Sequence, residues 1–138
     1  MYKLNKQTSI TRLSDNATIP SDPANSDYQE YITWLSAGNT PTPVDPPTPA
    51  QLFAVIETRI TQHMDEVAQS KKYDNRDSCR LYAGYTNPFQ VESIAFGQWV
   101  SACWVSSNQA QTDIANGLRT IPTPEEAVAE LPVMEWPV

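Results

Sequence analysis

Residues 84–104 read GYTNPFQVESIAFGQWVSACW. The stretch gathers Tyr85, Phe89, Phe96, Trp99 and Trp104 within a chain that is otherwise polar and rich in proline. From Phe89 onward the spacing is helical. Phe96, Trp99, Val100, Cys103 and Trp104 recur at three- and four-residue steps and define one stripe. Val91, Ile94, Ala95 and Ala102 fill neighbouring faces, so apolar residues run most of the way round the helix, which is expected to continue to about Asn116–Gly117. Gly97 inside it costs roughly 1 kcal/mol relative to alanine, and its use would be to let another backbone approach closely.

The natural cover for the stripe lies upstream. Thr48-Pro49 is a helix start, with threonine as cap and proline in the first helical position. Leu52, Val55, Ile56, Ile60, Met64 and Val67 then follow helical steps to about Lys72, where Tyr73-Asp74-Asn75 breaks the pattern. Asp77 to Ala83 reads as a short helix with Leu81 and Tyr82 inward, closed by Gly84. Two long helices joined by a compact corner predict an antiparallel helical hairpin over residues 50–118. The stripe then has two readings. The upstream helix covers all of it as core, or it covers one side and leaves the other, with one or both tryptophans, as a docking face.

Before the hairpin, residues 1–39 read as a strand–turn–strand–helix module. Thr8 to Leu13 alternates weakly, with Ile10 and Leu13 as buried anchors. Ser14-Asp15-Asn16 signals a turn, and Ala17-Thr18-Ile19 a return strand ending at Pro20. Asn25 or Ser26 caps a helix carrying Tyr28, Tyr31, Ile32, Trp34 and Leu35, which Gly38 terminates. A lone hairpin is marginal in water, so this helix should lie across it. Residues 40–49, TPTPVDPPTP, are half proline and predict an extended spacer. Residues 119–138 form an acidic, proline-rich arm with a short helix starting at Thr123-Pro124 and with Met134 and Trp136 near its end. The expected fold class is α+β and mainly helical: a small N-terminal β-hairpin plus helix, a Pro-rich linker and the C-terminal helical hairpin.

Composition narrows the function. The net charge of −7 and pI near 4.5 argue against non-specific binding to nucleic acid or to an anionic membrane. Lys71, Lys72, Arg76 and Arg80 form the one basic cluster, expected at a solvated helix end. Cys79 and Cys103 lack CxxC spacing and read as buried thiols. The N-terminus lacks the apolar core of a signal peptide, and no apolar run is long enough to span a bilayer. The single histidine, His63, sits mid-helix without a nearby nucleophile, and four scattered glycines cannot cradle a phosphate. No catalytic constellation, metal-ligand set or cofactor motif is expected. What remains is apolar surface, and the candidate partner-binding residues are Phe96, Trp99, Trp104, Phe89, Tyr31, Trp34 and Trp136.

Three stretches carry a resemblance. IPSDPANSDYQEYITWLSAGNTPTP, from Ile19 to Pro43, resembles an N-terminal motif of small proteins from tailed bacteriophages. AQSKKYDNRDSCRLYAGYTNPFQVESIAFGQWVSACW, from Ala68 to Trp104, is similar to the helical segment of phage tail-assembly chaperones and tail-fibre-associated proteins. PTPEEAVAELPVMEW, from Pro122 to Trp136, resembles their C-terminal ending. The resemblance implies a protein made in the host cytoplasm that binds a tail or tail-fibre polypeptide during assembly, either transiently as a chaperone or retained as a fibre or baseplate component of the virion. A homo-oligomer is compatible with it. It assigns no site residues.

Overall fold

The computed structural model describes residues 1–138 and divides them into two compact units, Met1–Pro47 and Thr48–Val138. The fold is α+β and mainly helical.

The first unit opens with a three-stranded antiparallel meander, one strand more than the sequence predicts: β1 Tyr2–Leu4, β2 Ser9–Arg12 and β3 Ala17–Pro20, in that spatial order. Leu4 faces Ile10, and Ile10 faces Ile19, so Tyr2, Leu4, Ile10 and Ile19 share one side of the sheet. Helix α1, Ser26–Ser36, supplies Tyr28, Tyr31, Trp34 and Leu35 to the same small core. The side chain of Asn25 caps it by accepting from the Tyr28 amide. Arg12 lies on the covered side too, and its Nη1 reaches Asp27 Oδ1 of α1 at 2.8 Å while its Nη2 pairs with Asp15.

Two expectations fail here for reasons of geometry. Leu13 is exposed, not an anchor. Side chains alternate along a strand, so a residue three beyond Ile10 falls on the opposite face. Ile32 is exposed on the outer side of α1. The proline-rich segment also begins as part of this unit and not as a free spacer. Thr42 pairs in parallel with Lys3: its amide donates to the Tyr2 carbonyl and its carbonyl accepts from the Leu4 amide, both at 2.9 Å. Lys3 Nζ then meets Asp45 at 2.6 Å. Pro41 and Pro43 lack amide hydrogens, which holds the pairing to a single bridge.

The second unit is built on two long helices, α2 Pro49–Ser70 and α4 Gln90–Ala115. Thr48 and Gln51 form a capping box at the start of α2. Its Ile56, Ile60, Met64 and Ala68 are buried at four-residue steps. The corner between the long helices holds α3, Arg76–Leu81, capped by Asn75, and a 3-10 turn over Tyr82–Gly84. Phe53 and Ile56 of α2 line one cavity with Ala110 and Ile114 of α4, while His63 lies against Trp99. The two helices therefore run antiparallel. In α3 the inward position belongs to Cys79. Leu81, expected inside, is 72% exposed, because two helical residues from Cys79 is more than half a turn away.

The C-terminal arm completes this core. Helix α5, Pro124–Ala129, starts with a second capping box, Thr123 with Glu126. It lies along α2, and Arg59 Nε donates to Glu125 Oε1 at 2.9 Å. Ala127 and Leu131 are buried with Phe96, Trp99, Val100 and Cys103 of α4, and Met134 and Trp136 pack against them. The arm is thus a wall of the same core as the hairpin.

Candidate functional site

The seven residues expected to bind a partner take different places. Phe96 is fully buried and Trp99 is 6% exposed, so neither faces outward. The physical reason is the arm. Trp136 stacks on Phe96 with centroids 5.7 Å apart, and Trp99 Nε1 donates to the Pro132 carbonyl at 2.7 Å. Trp104 and Trp136 are half-buried against this core. Tyr31 is buried beneath the sheet with its ring 5.1 Å from Tyr2, and Trp34 is half-buried at the same distance from Tyr2. Only Phe89, at 50%, is exposed.

Phe89 belongs to an aromatic corner that the α3–α4 connection builds. Tyr82 touches both Tyr85 and Phe89, with centroids at 6.3 and 5.5 Å, and Tyr73 stands behind it at 6.0 Å. Tyr85 is 56% exposed, and Leu81, the last residue of α3, is exposed too. Asn87 fixes the corner. Its Nδ2 donates to the carbonyls of Tyr82 and Tyr85 at 2.7 and 2.6 Å, and its Oδ1 accepts from the Phe89 amide at 2.9 Å. Gln90 Nε2 reaches the Ala83 carbonyl at 3.2 Å. Two aromatic rings are therefore held in solvent by a hydrogen-bonded turn. The sequence analysis names Phe89 as a partner residue but gives Tyr85 no such role and expects Leu81 inside. The signal available was Asn87 before Pro88, a turn residue whose side chain can tie a loop while neighbouring rings point out.

The outer side of α4 is a second uncommon surface. Val91, Ile94 and Val105 are exposed, and Glu92 and Asp113 are the only charged residues in the helix. Gly97 sits here with open space where a Cβ would be, so the close backbone approach expected of it does not occur within this chain.

Other groups offer no chemistry of this kind. Burial pushes the thiols of Cys79 and Cys103 up to about 11, so both stay protonated near neutrality. Ser93, also buried, donates to the Cys79 carbonyl at 2.6 Å and serves to lock α3 onto α4. His63 Nδ1 lies 3.9 Å from Glu66 Oε2, and the ring packs on Trp99 at 5.9 Å. No group of three or more His, Cys, Asp or Glu residues is arranged to hold a metal ion. The cavity between α2, α4 and α5 has a volume of about 30 Å³, room for about one water and not for an organic ligand. No helix is long and apolar enough to cross a membrane.

Comparison with protein-family models, with curated proteins and with solved structures finds no match to this chain.

Proposed function

We propose that the protein is a tail-assembly protein of a tailed bacteriophage that binds a tail or tail-fibre polypeptide, with the aromatic corner of Tyr85 and Phe89 as the contact. The resemblance of three sequence stretches supplies the phage context. The observation that carries the docking role is the corner itself: two rings half in water, packed on Tyr82 and tied by Asn87. Aromatic anchors held rigid before contact lose little conformational freedom on binding, and burying one contributes about 1.5–3 kcal/mol. Masking by Phe96 and Trp99 is no part of this reading, since both are already covered by the arm.

The protein would act in the host cytoplasm while tails are built. Co-expression with the phage tail and fibre polypeptides, comparing the natural chain with a Tyr85→Ser, Phe89→Ser variant, tests the proposal. Both positions are exposed, so the variant should fold as before and lose the complex. An unaltered complex in that variant, or no complex with the natural chain, would sink the reading. Mass spectrometry of purified particles then distinguishes a transient chaperone, absent from the virion, from a fibre or baseplate component that stays in it.

A further inference from the structure

We propose that residues 132–138 are a releasable strap, and that the slot beneath them binds an extended segment of another polypeptide that carries an aromatic ring. The strap itself shows what fits. Trp136 stacks on Phe96 with centroids 5.7 Å apart, and Lys71 Nζ lies over the same indole at 5.5 Å. Four residues earlier, the Pro132 carbonyl accepts from Trp99 Nε1 at 2.7 Å. Between these points Met134 and Trp136 are half-buried while Val133 and Glu135 are exposed. A period of two belongs to an extended chain. The slot therefore reads a free carbonyl, then an apolar side chain two residues on and a ring four residues on. Val67 and His63 of α2 line the groove beside Met134 and Trp136, and neither Tyr85 nor Phe89 takes part in it.

The arm is fastened in two ways. Up to Leu131 it is held by a capping box, by the pairs of Arg59 with Glu125 and Arg119 with Glu130, and by the burial of Ala127 and Leu131. The chain's last backbone–backbone hydrogen bond runs from the Leu131 amide to the Val128 carbonyl. Beyond it, no backbone amide donates to the chain, and the Pro132 carbonyl is the only one that accepts. Side chains alone hold the strap. Such a segment can open without unfolding the helices behind it.

Opening leaves an apolar ring and an indole N–H without their partners, which costs free energy until something replaces them. A segment of the chemistry the strap displays supplies both. While the strap is seated it competes in cis, at an effective concentration of about millimolar. The contact is thus autoinhibited, and a partner binds as the strap leaves.

A fluorescein-labelled peptide of residues 130–138, read by anisotropy, is the probe. The full chain carrying Trp136→Ala should bind it at least about tenfold tighter than the natural chain, whose own ring fills the slot. A peptide carrying Trp136→Ala should not bind. Adding Lys71→Glu to the variant chain should weaken binding about two- to fivefold, as loss of an exposed cation–π contact does. In the natural chain, deuterium exchange of the Trp99 indole hydrogen should be insensitive to low urea, while that of the Val100 amide quickens with it. Equal binding by the two chains, no binding by a folded variant, or a Trp99 hydrogen that follows Val100 through urea would overturn the proposal. A natural chain that sediments as a dimer and becomes monomeric with Trp136→Ala would overturn the choice of partner, giving the slot to a second copy.

Discussion

The indole of Trp136 lies flat on the ring of Phe96, with centroids 5.7 Å apart and planes 9° from parallel. Lys71 Nζ stands 5.5 Å from the centre of the same indole, so a ring from the last residues of the chain joins the end of α2 to the middle of α4. The acidic arm is therefore a structural member of the helical unit. It takes over the work that an external partner would otherwise do for the apolar stripe.

Removing that ring should cost stability. Trp136→Ala is expected to lower the unfolding free energy by about 2 kcal/mol, less than the 3–5 kcal/mol of a fully buried tryptophan because Trp136 is half-buried. Truncation after Leu131 should cost more, since it also removes the Pro132 carbonyl that accepts from Trp99 Nε1. Urea titrations followed by circular dichroism measure both. A Trp136→Ala change within about 0.5 kcal/mol would mean that the arm rests on the core without supporting it.

Much of this was legible in the sequence and some of it was not. Thr48-Pro49 and Thr123-Pro124 mark helix starts because a cap and a fixed φ act locally, and both helices begin there. The stripe on α4 was equally plain, since Phe96, Trp99, Val100 and Cys103 repeat with the helical period. What covers the stripe was not. The contact between Phe96 and Trp136 spans forty residues, and the arm's own residues predict a short helix from Thr123-Pro124 without naming the surface it lies on. Thr42 pairing with β1 is hidden for the same reason: its neighbours Pro41 and Pro43 advertise a linker, while the one available amide between them finishes a sheet edge. Leu13 and Leu81 fail by parity, because hydrophobicity says that a residue seeks cover but the local period decides whether it gets any.

Ser93 tests the junction between α3 and α4. Its hydroxyl is buried and donates to the Cys79 carbonyl at 2.6 Å. Ser93→Ala should cost about 1–2 kcal/mol, because the carbonyl loses a donor in a place where water cannot replace it. Ser101→Ala, on the exposed side of the same helix, should stay within about 0.5 kcal/mol in dilute solution. Thermal or urea unfolding of the pair separates a buried hydrogen bond from helix propensity.

Acid should loosen the helical unit through its arm. The amide and hydroxyl of Thr123 hold Glu126 below the usual carboxylate range, and Arg119, whose two terminal nitrogens bind Glu130 at 2.7 and 2.8 Å, does the same for Glu130. A carboxylate with a lowered folded-state pKa binds fewer protons folded than unfolded. Its contribution is therefore full above the ordinary value of 4.5 and is lost as pH falls below it. The melting temperature should drop between pH 5 and pH 3, a span of about two pH units over which unfolded carboxylates titrate. Glu126→Gln with Glu130→Gln should flatten that drop, because glutamine preserves the capping box without the titration. An equally steep decline in the double variant would assign the acid sensitivity to other carboxylates.

Gly97 lies inside α4 without a packing reason to be glycine. A Cβ built on it meets open space, and its backbone is not in the left-handed region, so nothing in the monomer requires glycine. Gly97→Ala should stabilise the dilute protein by about 1 kcal/mol, by raising helix propensity and by narrowing the unfolded ensemble. Urea unfolding followed by circular dichroism reads the effect. If Gly97→Ala weakens the protein, the open space beside Gly97 is already used by the fold.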